Sequence, residues 1–212
     1  MIGIIDYGMG NLFSVSKALE RLDTPYFISS KREELLRASG LILPGVGSFK
    51  DAMELLEQLD LSSMIKEYVQ HGKPLLGICL GMQLLFAESE ENGWTKGLSL
   101  LPGSVRRFSG ISGAGVPYKV PHMGWNRLSF VQPSPILQSV RENYAYFVHS
   151  YYVDTADRSI VIAESSYDVA VPAVVGRENI FGMQFHPEKS GQLGMELLSN
   201  FTGLVWERMT GK

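Results

Sequence analysis

A single cysteine, Cys79, stands in the segment GICLG at 77–81, between an apolar run and a helix-period stretch. This is the spacing of a nucleophile elbow with cysteine in place of serine. Glycine at 77 and 81 would permit the sharp turn, because a Cβ at either position would collide with neighbouring backbone. A sulfur at the start of a helix is favoured as thiolate. The pattern therefore predicts a reactive nucleophile.

A thiolate nucleophile needs a group that accepts and returns protons. The chain has four histidines, His71, His122, His149 and His186. His186 is the best placed, since it follows the apolar run 180–185 and precedes Pro187, which favours extended backbone. Side chains two apart in extended backbone project to the same side, so we expect Glu188 to hydrogen-bond the ring nitrogen of His186 that faces away from the thiol. Cys79, His186 and Glu188 are the predicted triad, in which Glu188 fixes the tautomer and stabilises the imidazolium.

Amide hydrolysis also needs donors for the developing oxyanion. The segment PGVG at 44–47, after the apolar run 41–43, is a source of unpaired backbone N–H groups, and we expect the N–H of Leu80 to be a second donor. Each motif has a plainer interpretation: a buried structural cysteine, an ordinary strand-to-helix turn, and a loop with an acidic residue. Their occurrence in one chain favours a cysteine-dependent amide hydrolase.

The motifs follow short apolar runs that alternate with helix-period stretches, as in an α/β protein with a largely parallel sheet. Strands are predicted over 2–7, 41–43 and 74–79, and Asn11 is predicted to cap the first helix. The stretch 93–121 is rich in glycine and proline, which predicts loop and irregular hairpin. Strand patterns return at 146–153, 159–164, 169–175 and 180–185, and a helix closes the chain over 191–209.

The 212 residues are 45% hydrophobic and 19% charged, which is typical of a water-soluble globular protein, and we expect one domain over 1–212. A net charge of −3 without a basic cluster argues against nucleic acid as a partner. The N-terminus lacks a basic, apolar leader pattern and no run has the length of a membrane span, so we expect a cytoplasmic protein without a membrane partner. One cysteine allows no internal disulfide and no zinc site of the usual spacing, and we expect no metal or other cofactor.

Together, GICLGMQ at 77–83, PGVG at 44–47 and HPE at 186–188 resemble the class I, or triad, glutamine amidotransferase domain, along nearly the whole chain. Three further segments resemble the glutaminase subunits of imidazole glycerol phosphate synthase: IDYGMGNL at 5–12, PHMGWN at 121–126 and YFVHSY at 146–151. The resemblance implies a flavodoxin-like fold, in which a mixed, mostly parallel central sheet is flanked by helices.

The resemblance also implies a function. The chain would form a heterodimer with a (β/α)₈-barrel cyclase and supply it with ammonia from glutamine. In the barrel, ammonia would react with a ribulosyl-phosphate intermediate to give imidazole glycerol phosphate and an aminoimidazole carboxamide ribotide, in histidine biosynthesis.

The resemblance also implies roles for individual residues. It implies oxyanion donors at Val46 and Leu80. It implies contacts with glutamine at Gly47, Gln83, Glu91, Ser150 and Tyr151. It implies a cyclase interface that includes Asn11, Met123, Trp125 and Lys189. The glycine-rich stretch 109–115 matches no motif, and its role is open.

Spacing and chemistry support a cysteine amide hydrolase, whereas the ammonia acceptor follows only from the resemblance. A second hypothesis is the glutaminase subunit of a different ammonia-using synthase. A third is a redox-sensing or chaperone-like protein that keeps the fold and the elbow cysteine without hydrolysis. Release of ammonia from glutamine by the complex would exclude the third.

Overall fold

The computed structural model describes residues 1–211, so Lys212, the last residue of the predicted domain, lies outside it. The α-helices are α1 (Leu12–Arg21), α2 (Arg32–Leu36), α3 (Phe49–Gln58), α4 (Leu61–Gln70), α5 (Leu80–Gln83) and α6 (Gly191–Thr210). Short 3₁₀ helices cover Pro135–Leu137, Arg158–Ile160 and Pro187–Lys189. The predicted cap of α1 is confirmed, since the side chain of Asn11 accepts a hydrogen bond from the Ser14 N–H at 3.2 Å.

The strands differ from the predicted ones mainly in the second half of the chain. They are β1 (Ile2–Ile5), β2 (Tyr26–Ser29), β3 (Gly40–Gly45), β4 (Leu75–Cys79), β5 (Glu88–Ser89), β6 (Thr95–Lys96), β7 (Ser104–Arg107), β8 (His122–Arg127), β9 (Ser129–Phe130), β10 (Tyr144–His149), β11 (Tyr151–Asp154), β12 (Val161–Tyr167), β13 (Val169–Arg177) and β14 (Ile180–Met183). The single strand predicted over 146–153 is wrong. It is two strands, β10 and β11, which break at Ser150 and pair with different neighbours.

The central sheet has the strand order β2-β1-β3-β4-β14-β13-β12-β9. Strands β2 to β14 in this order run parallel to their neighbours, and β13, β12 and β9 pair antiparallel. The predicted mixed, mostly parallel sheet flanked by helices is therefore confirmed. Because β1 lies between β2 and β3, the winding reverses there, and ligands of such sheets bind at the carboxyl ends of the strands.

Side chains of the inner strands alternate between two apolar cores, one on each face of the sheet. Ile4 and Ile42 lie in the core that contains α1 and α6 residues, whereas Ile5 and Leu43 lie in the core built with α3 and α4. All four are fully buried. Burying one such side chain stabilises the fold by about 1.5–3 kcal/mol. The central strands thus contribute apolar side chains to both cores, as is usual for parallel strands covered on both faces.

Two smaller sheets stand beside the central one. β8 and β10 form an antiparallel pair, and β11-β7-β5-β6 form a four-stranded sheet. The stretch predicted to be irregular, 93–121, contains only the short strands β6 and β7 and one isolated bridge between Ile111 and Pro117. None of the helices within residues 1–211 has the length and apolar character needed to cross a bilayer.

Candidate active site

Cys79 ends β4 in a conformation that few non-glycine residues adopt, with φ +55° and ψ −113°. Such strain is found where a sharp turn projects a functional side chain, as in a nucleophile elbow. The predicted need for small flanking residues is confirmed. A Cβ on Gly77 would lie 2.5 Å from the Gly81 carbonyl oxygen, and a Cβ on Gly81 would overlap the Leu43 carbonyl oxygen.

The helix after Cys79 is shorter than the sequence pattern indicates. α5 ends at Gln83, and the next residues turn through hydrogen bonds from Leu85 to Met82 and from Phe86 to Gln83. A four-residue helix has a small dipole. The helix dipole at Cys79 is therefore smaller than the sequence pattern predicts.

His186 and Glu188 make the predicted hydrogen bond, with Nδ1 and Oε1 2.9 Å apart. The backbone reason given from the sequence is wrong, however, because Pro187–Lys189 is a 3₁₀ helix rather than extended chain. This tight turn brings the Glu188 carboxylate within hydrogen-bond distance of the His186 ring. Its side chain is 1% exposed, and within residues 1–211 its second oxygen, Oε2, has no hydrogen-bond partner.

The protonation of His186 is set by opposing effects. Burial alone would lower the pKa of this imidazole, but hydrogen bonding and charge interaction with Cys79 and Glu188 outweigh burial and raise the pKa to about 9. His186 is therefore an imidazolium at neutral pH. The arrangement can supply a proton to a leaving group and can regain it from an attacking water.

The loop that carries His186 is tied to β10. The His186 N–H donates to the Tyr146 carbonyl at 3.2 Å, and the Tyr146 N–H donates to the Ser190 hydroxyl oxygen at 2.9 Å. The Ser190 hydroxyl in turn donates to the His186 carbonyl at 2.7 Å. These bonds fix the imidazole relative to the β8/β10 pair.

The turn after β3 lies beside the elbow, since Gly45 pairs with Cys79 across the β3/β4 ladder. A Cβ on Gly45 would lie 2.7 Å from the Tyr7 hydroxyl, so glycine permits this close approach. Gly47 is glycine for a different reason, because its φ is +99°. Between them, Val46 is 42% exposed. Leu80 begins α5, where a first-turn N–H has no acceptor within the helix.

A cavity of about 440 Å³ opens at these carboxyl ends. It is lined by Val46, Gly47, Cys79, Leu80, Gln83, Glu91, Pro121, Val148, His149, Ser150, Tyr151, His186 and Lys189. The structure thus brings together the predicted nucleophile, the predicted oxyanion donors and every residue predicted to contact glutamine. It adds Pro121, Val148 and His149, which sequence reasoning did not assign to the site. For His149 a signal existed in the sequence, because pairing of the segments 121–126 and 146–151 as strands would bring His122 and His149 to one buried face.

The polar side chains of the cavity are held by specific partners. Gln83 uses both amide hydrogens, donating to the Tyr151 carbonyl at 3.0 Å and to Gln184 Oε1 at 2.9 Å. Its side-chain oxygen remains free to accept a hydrogen bond from a ligand. Glu91 accepts the Phe49 N–H at 2.8 Å and so caps α3, and burial raises the pKa of this carboxyl.

The residues predicted to meet a partner are divided between the cavity and the surface. Lys189 lines the cavity, whereas Met123 and Trp125 do not and are 61% and 57% exposed. Asn11 caps α1 outside the cavity. Within residues 1–211, no three His, Cys, Asp or Glu side chains converge in a way that could hold a metal ion.

Comparison with known proteins identifies relatives along the whole chain. The family model "Glutamine amidotransferase class-I" matches residues 4–203. A Geobacillus kaustophilus protein named "Imidazole glycerol phosphate synthase subunit HisH" is 64% identical over all of both chains, and the Bacillus subtilis protein of the same name is 57% identical, also over all of both chains. A solved structure described as "Crystal structure of glutamine amidotransferase" superposes with a TM-score of 0.76 at 20% identity, covering 97% of this chain and 98% of the other. This last likeness supports the fold alone.

Proposed function

The chain belongs to the class-I glutamine amidotransferase family, and on that premise we propose that it is the glutaminase subunit of imidazole glycerol phosphate synthase. It hydrolyses glutamine to glutamate and ammonia and passes the ammonia to a cyclase partner. The observation that carries the proposal is the strained Cys79 elbow beside the hydrogen-bonded pair of His186 and Glu188, with Cys79 and His186 both lining the cavity. Relatives named as subunits of that synthase support the choice of acceptor.

In the first half of the reaction, the Cys79 sulfur attacks the side-chain carbonyl carbon of glutamine as a thiolate. The N–H groups of Val46 and Leu80 stabilise the tetrahedral oxyanion. His186, an imidazolium at neutral pH, donates its proton to the amide nitrogen. The carbon–nitrogen bond breaks, ammonia leaves and a γ-glutamyl thioester remains on Cys79.

In the second half, water attacks the thioester and His186, now neutral, takes a proton from it. The carbon–sulfur bond breaks, glutamate leaves and the thiolate–imidazolium pair is restored. Glu188 keeps the His186 ring in one orientation and stabilises its charge throughout, because it is bonded to Nδ1. Gly47, Gln83, Glu91, Ser150 and Tyr151 hold the substrate in the cavity.

The partner in this proposal is a (β/α)₈-barrel cyclase, bound as a heterodimer through a surface that includes Asn11, Met123, Trp125 and Lys189. Two exposed apolar side chains on one strand, Met123 and Trp125, favour a docking surface there. A cytoplasmic complex formed by one amidotransferase domain over 1–212, without nucleic acid or membrane partners, is part of the proposal, and the net charge of −3 argues against a nucleic-acid partner.

We infer further that docking completes the oxyanion hole. The Val46 N–H belongs to the peptide that joins Gly45 to Val46, and glycines on both sides of Val46 let this peptide rotate at little steric cost, so that the N–H turns toward or away from the substrate carbonyl. Loss of one oxyanion donor typically costs about 10²–10³ in rate, or roughly 3–4 kcal/mol. The binding energy of a specific interface is large enough to shift the orientation of this peptide by that free energy.

The test is to measure glutamate and ammonia release by the chain alone, with the cyclase, and with the cyclase bound to its substrate analogue. We expect a slow rate alone, a large increase in the full complex and formation of imidazole glycerol phosphate from glutamine. The same rate in all three states would refute coupling. Hydrolysis without synthesis by the cyclase would favour the glutaminase of a different synthase, and no hydrolysis in any state would favour a redox-sensing or chaperone-like protein.

A further inference from the structure

A line of hydrogen bonds crosses the β8/β10 pair and reaches the wall of the cavity. His122 lies opposite His149 in this pair, and Nδ1 of His122 is 2.9 Å from Nε2 of His149. Both side chains are buried, at 2% and 6% exposure. The proposed reaction steps use neither of them, so two buried titratable groups beside the cavity need another explanation.

The positions of the protons on the two histidine rings can be derived by starting from the Tyr151 carbonyl, where the line of hydrogen bonds ends. The Tyr151 carbonyl can only accept, so His149 Nδ1, which is 2.7 Å away, carries the proton and donates it. A neutral His149 accepts at Nε2, which makes His122 Nδ1 the next donor. His122 then accepts at Nε2 from the Asn126 amide at 3.1 Å. One set of tautomers satisfies every bond.

This set requires both rings to be neutral. A second proton on His149 would place an N–H against the N–H of His122. Burial lowers the pKa of His149 to about 3, and the nearby charge of His186 acts in the same direction. Burial also lowers the pKa of His122 to about 4, and this ring is stacked against Tyr167 and Phe147 at centroid distances of 4.0 and 4.6 Å. The surroundings thus keep the pair uncharged at neutral pH.

The line ends on a group that shapes the cavity. The Tyr151 carbonyl accepts both the His149 Nδ1–H and the Gln83 amide, and His149, Gln83 and Tyr151 all line the cavity. Without His149 the carbonyl would keep one donor and could turn with the β10/β11 break at Ser150. The orientation of the Gln83 amide would then be less fixed.

We propose that His122 and His149 are positioning residues for glutamine, which as a neutral hydrogen-bonded pair hold the Tyr151 carbonyl and, through it, Gln83 in the substrate-binding orientation. The inference rests on the proposed glutaminase function but does not depend on which synthase uses the ammonia. It assigns the buried face of β8 to the substrate site, while the opposite face carries the exposed Trp125.

The kinetic test uses the complex and compares His149→Leu with His149→Asn. Asparagine places an N–H donor at the position of Nδ1, whereas leucine removes it. For His149→Leu the KM for glutamine should rise about tenfold or more with kcat changed less than about threefold, the order expected for one lost buried hydrogen bond. His149→Asn should recover most of the loss. Ammonia-dependent synthesis should be unchanged in both.

A matched control separates hydrogen bonding from packing. Phe147→Leu removes a buried ring that stacks on His122 without breaking the line, so its KM for glutamine should stay near the wild-type value. Equal KM values for wild type and His149→Leu would overturn the proposal. So would equal increases in His149→Leu, His149→Asn and Phe147→Leu.

A measurement that does not depend on enzyme activity can test the neutral histidine pair separately from the proposed function. Histidine ¹⁵N spectra of the folded wild-type chain at pH 5.5 should show two neutral rings protonated at Nδ1, for His122 and His149, and His122→Leu should shift the His149 signals. Charged rings, or protons at Nε2, would overturn the neutral pair even in an active enzyme. A neutral pair in a chain that never hydrolyses glutamine would instead contradict the proposed function.

Discussion

At the scale of single residues, the proposed mechanism gives His186 and Glu188 different roles. In it, His186 transfers protons to and from reacting atoms, whereas Glu188 acts only through the ring to which it is hydrogen-bonded. Removing a proton-transfer group costs more than removing the group that orients it.

We therefore expect His186→Ala to lower kcat with glutamine by about 10²–10⁴, and Glu188→Ala to lower it by less. Glu188→Gln is a matched control, because glutamine keeps a hydrogen-bonding oxygen without the charge. Stopped-flow or coupled assays of glutamate release in the complex give the rates. Equal losses for both alanine variants would assign Glu188 a direct part in the chemistry, and negligible losses would show that another histidine is the proton carrier.

The sharp turn at Cys79 could be predicted at this scale because it depends on local sequence. The flanking glycines of Cys79 predicted a steric limit that the backbone contacts of Gly77 and Gly81 confirm. The contact between His186 and Glu188 was also predicted, but from the wrong backbone, since a 3₁₀ turn and an extended chain both bring residues two apart together. A correct contact does not establish the local structure that produces it.

At the scale of elements, the β8/β10 pair was the feature hardest to predict. Its two strands are about 20 residues apart in the chain, and strand pairing of that kind is set by tertiary packing rather than by periodicity. The break at Ser150 has the same origin, because nothing in the apolar alternation of 146–153 marks the point where the chain leaves one sheet for another. His149 was therefore not assigned to the site.

The buried pair predicts how stability depends on pH. His122 and His149 have folded pKa values of about 4 and about 3, and unfolding restores a value near 6.5. Below pH 6.5 the unfolded chain binds protons that the folded chain excludes, so each histidine removes about 1.4 kcal/mol of stability per pH unit. The raised pKa of His186 acts in the opposite direction, because protonation of this ring stabilises the folded chain. Its contribution to the free energy of unfolding is complete below pH 6.5 and is lost as the pH rises through 9.

Urea unfolding should accordingly show a midpoint that falls between pH 6.5 and 5.5. The exposed His71 provides the control, and His71→Gln should leave this fall unchanged. A midpoint that is constant over this range would contradict a pair that stays neutral when folded.

At the scale of the whole molecule, the proposed partner surface and the candidate active site are held by the same pair of strands. Trp125 lies opposite Tyr146 across the β8/β10 pair, and the Tyr146 carbonyl accepts the backbone N–H of His186. Lys189 is the residue after Glu188 and lines the cavity. Binding of the partner at this surface would therefore act on the strands and the loop that position the predicted triad.

Trp125→Ala should weaken binding of the cyclase by about thirtyfold, since buried aromatic anchors commonly contribute 2 kcal/mol or more. Lys189→Ala should weaken it less and lower glutamine turnover in the complex. Trp206→Ala is the matched control: this tryptophan is 51% exposed on α6 and lies beside Ile2 at the amino end of β1, whereas the cavity opens at the carboxyl ends of the strands. Titration calorimetry that finds the same affinity for all three variants and wild type would locate the interface elsewhere.

The proposed mechanism requires Cys79 to release the amide nitrogen of glutamine by forming a γ-glutamyl thioester, which can be tested by measuring synthesis by the Cys79→Ser complex from each nitrogen source. A serine hydroxyl at this position is a much weaker nucleophile than a thiolate, while the cyclase itself is untouched. Glutamine-dependent formation of imidazole glycerol phosphate should be abolished, and ammonia-dependent formation should continue at the wild-type rate. Glutamine-dependent synthesis at the wild-type rate would contradict the thioester mechanism.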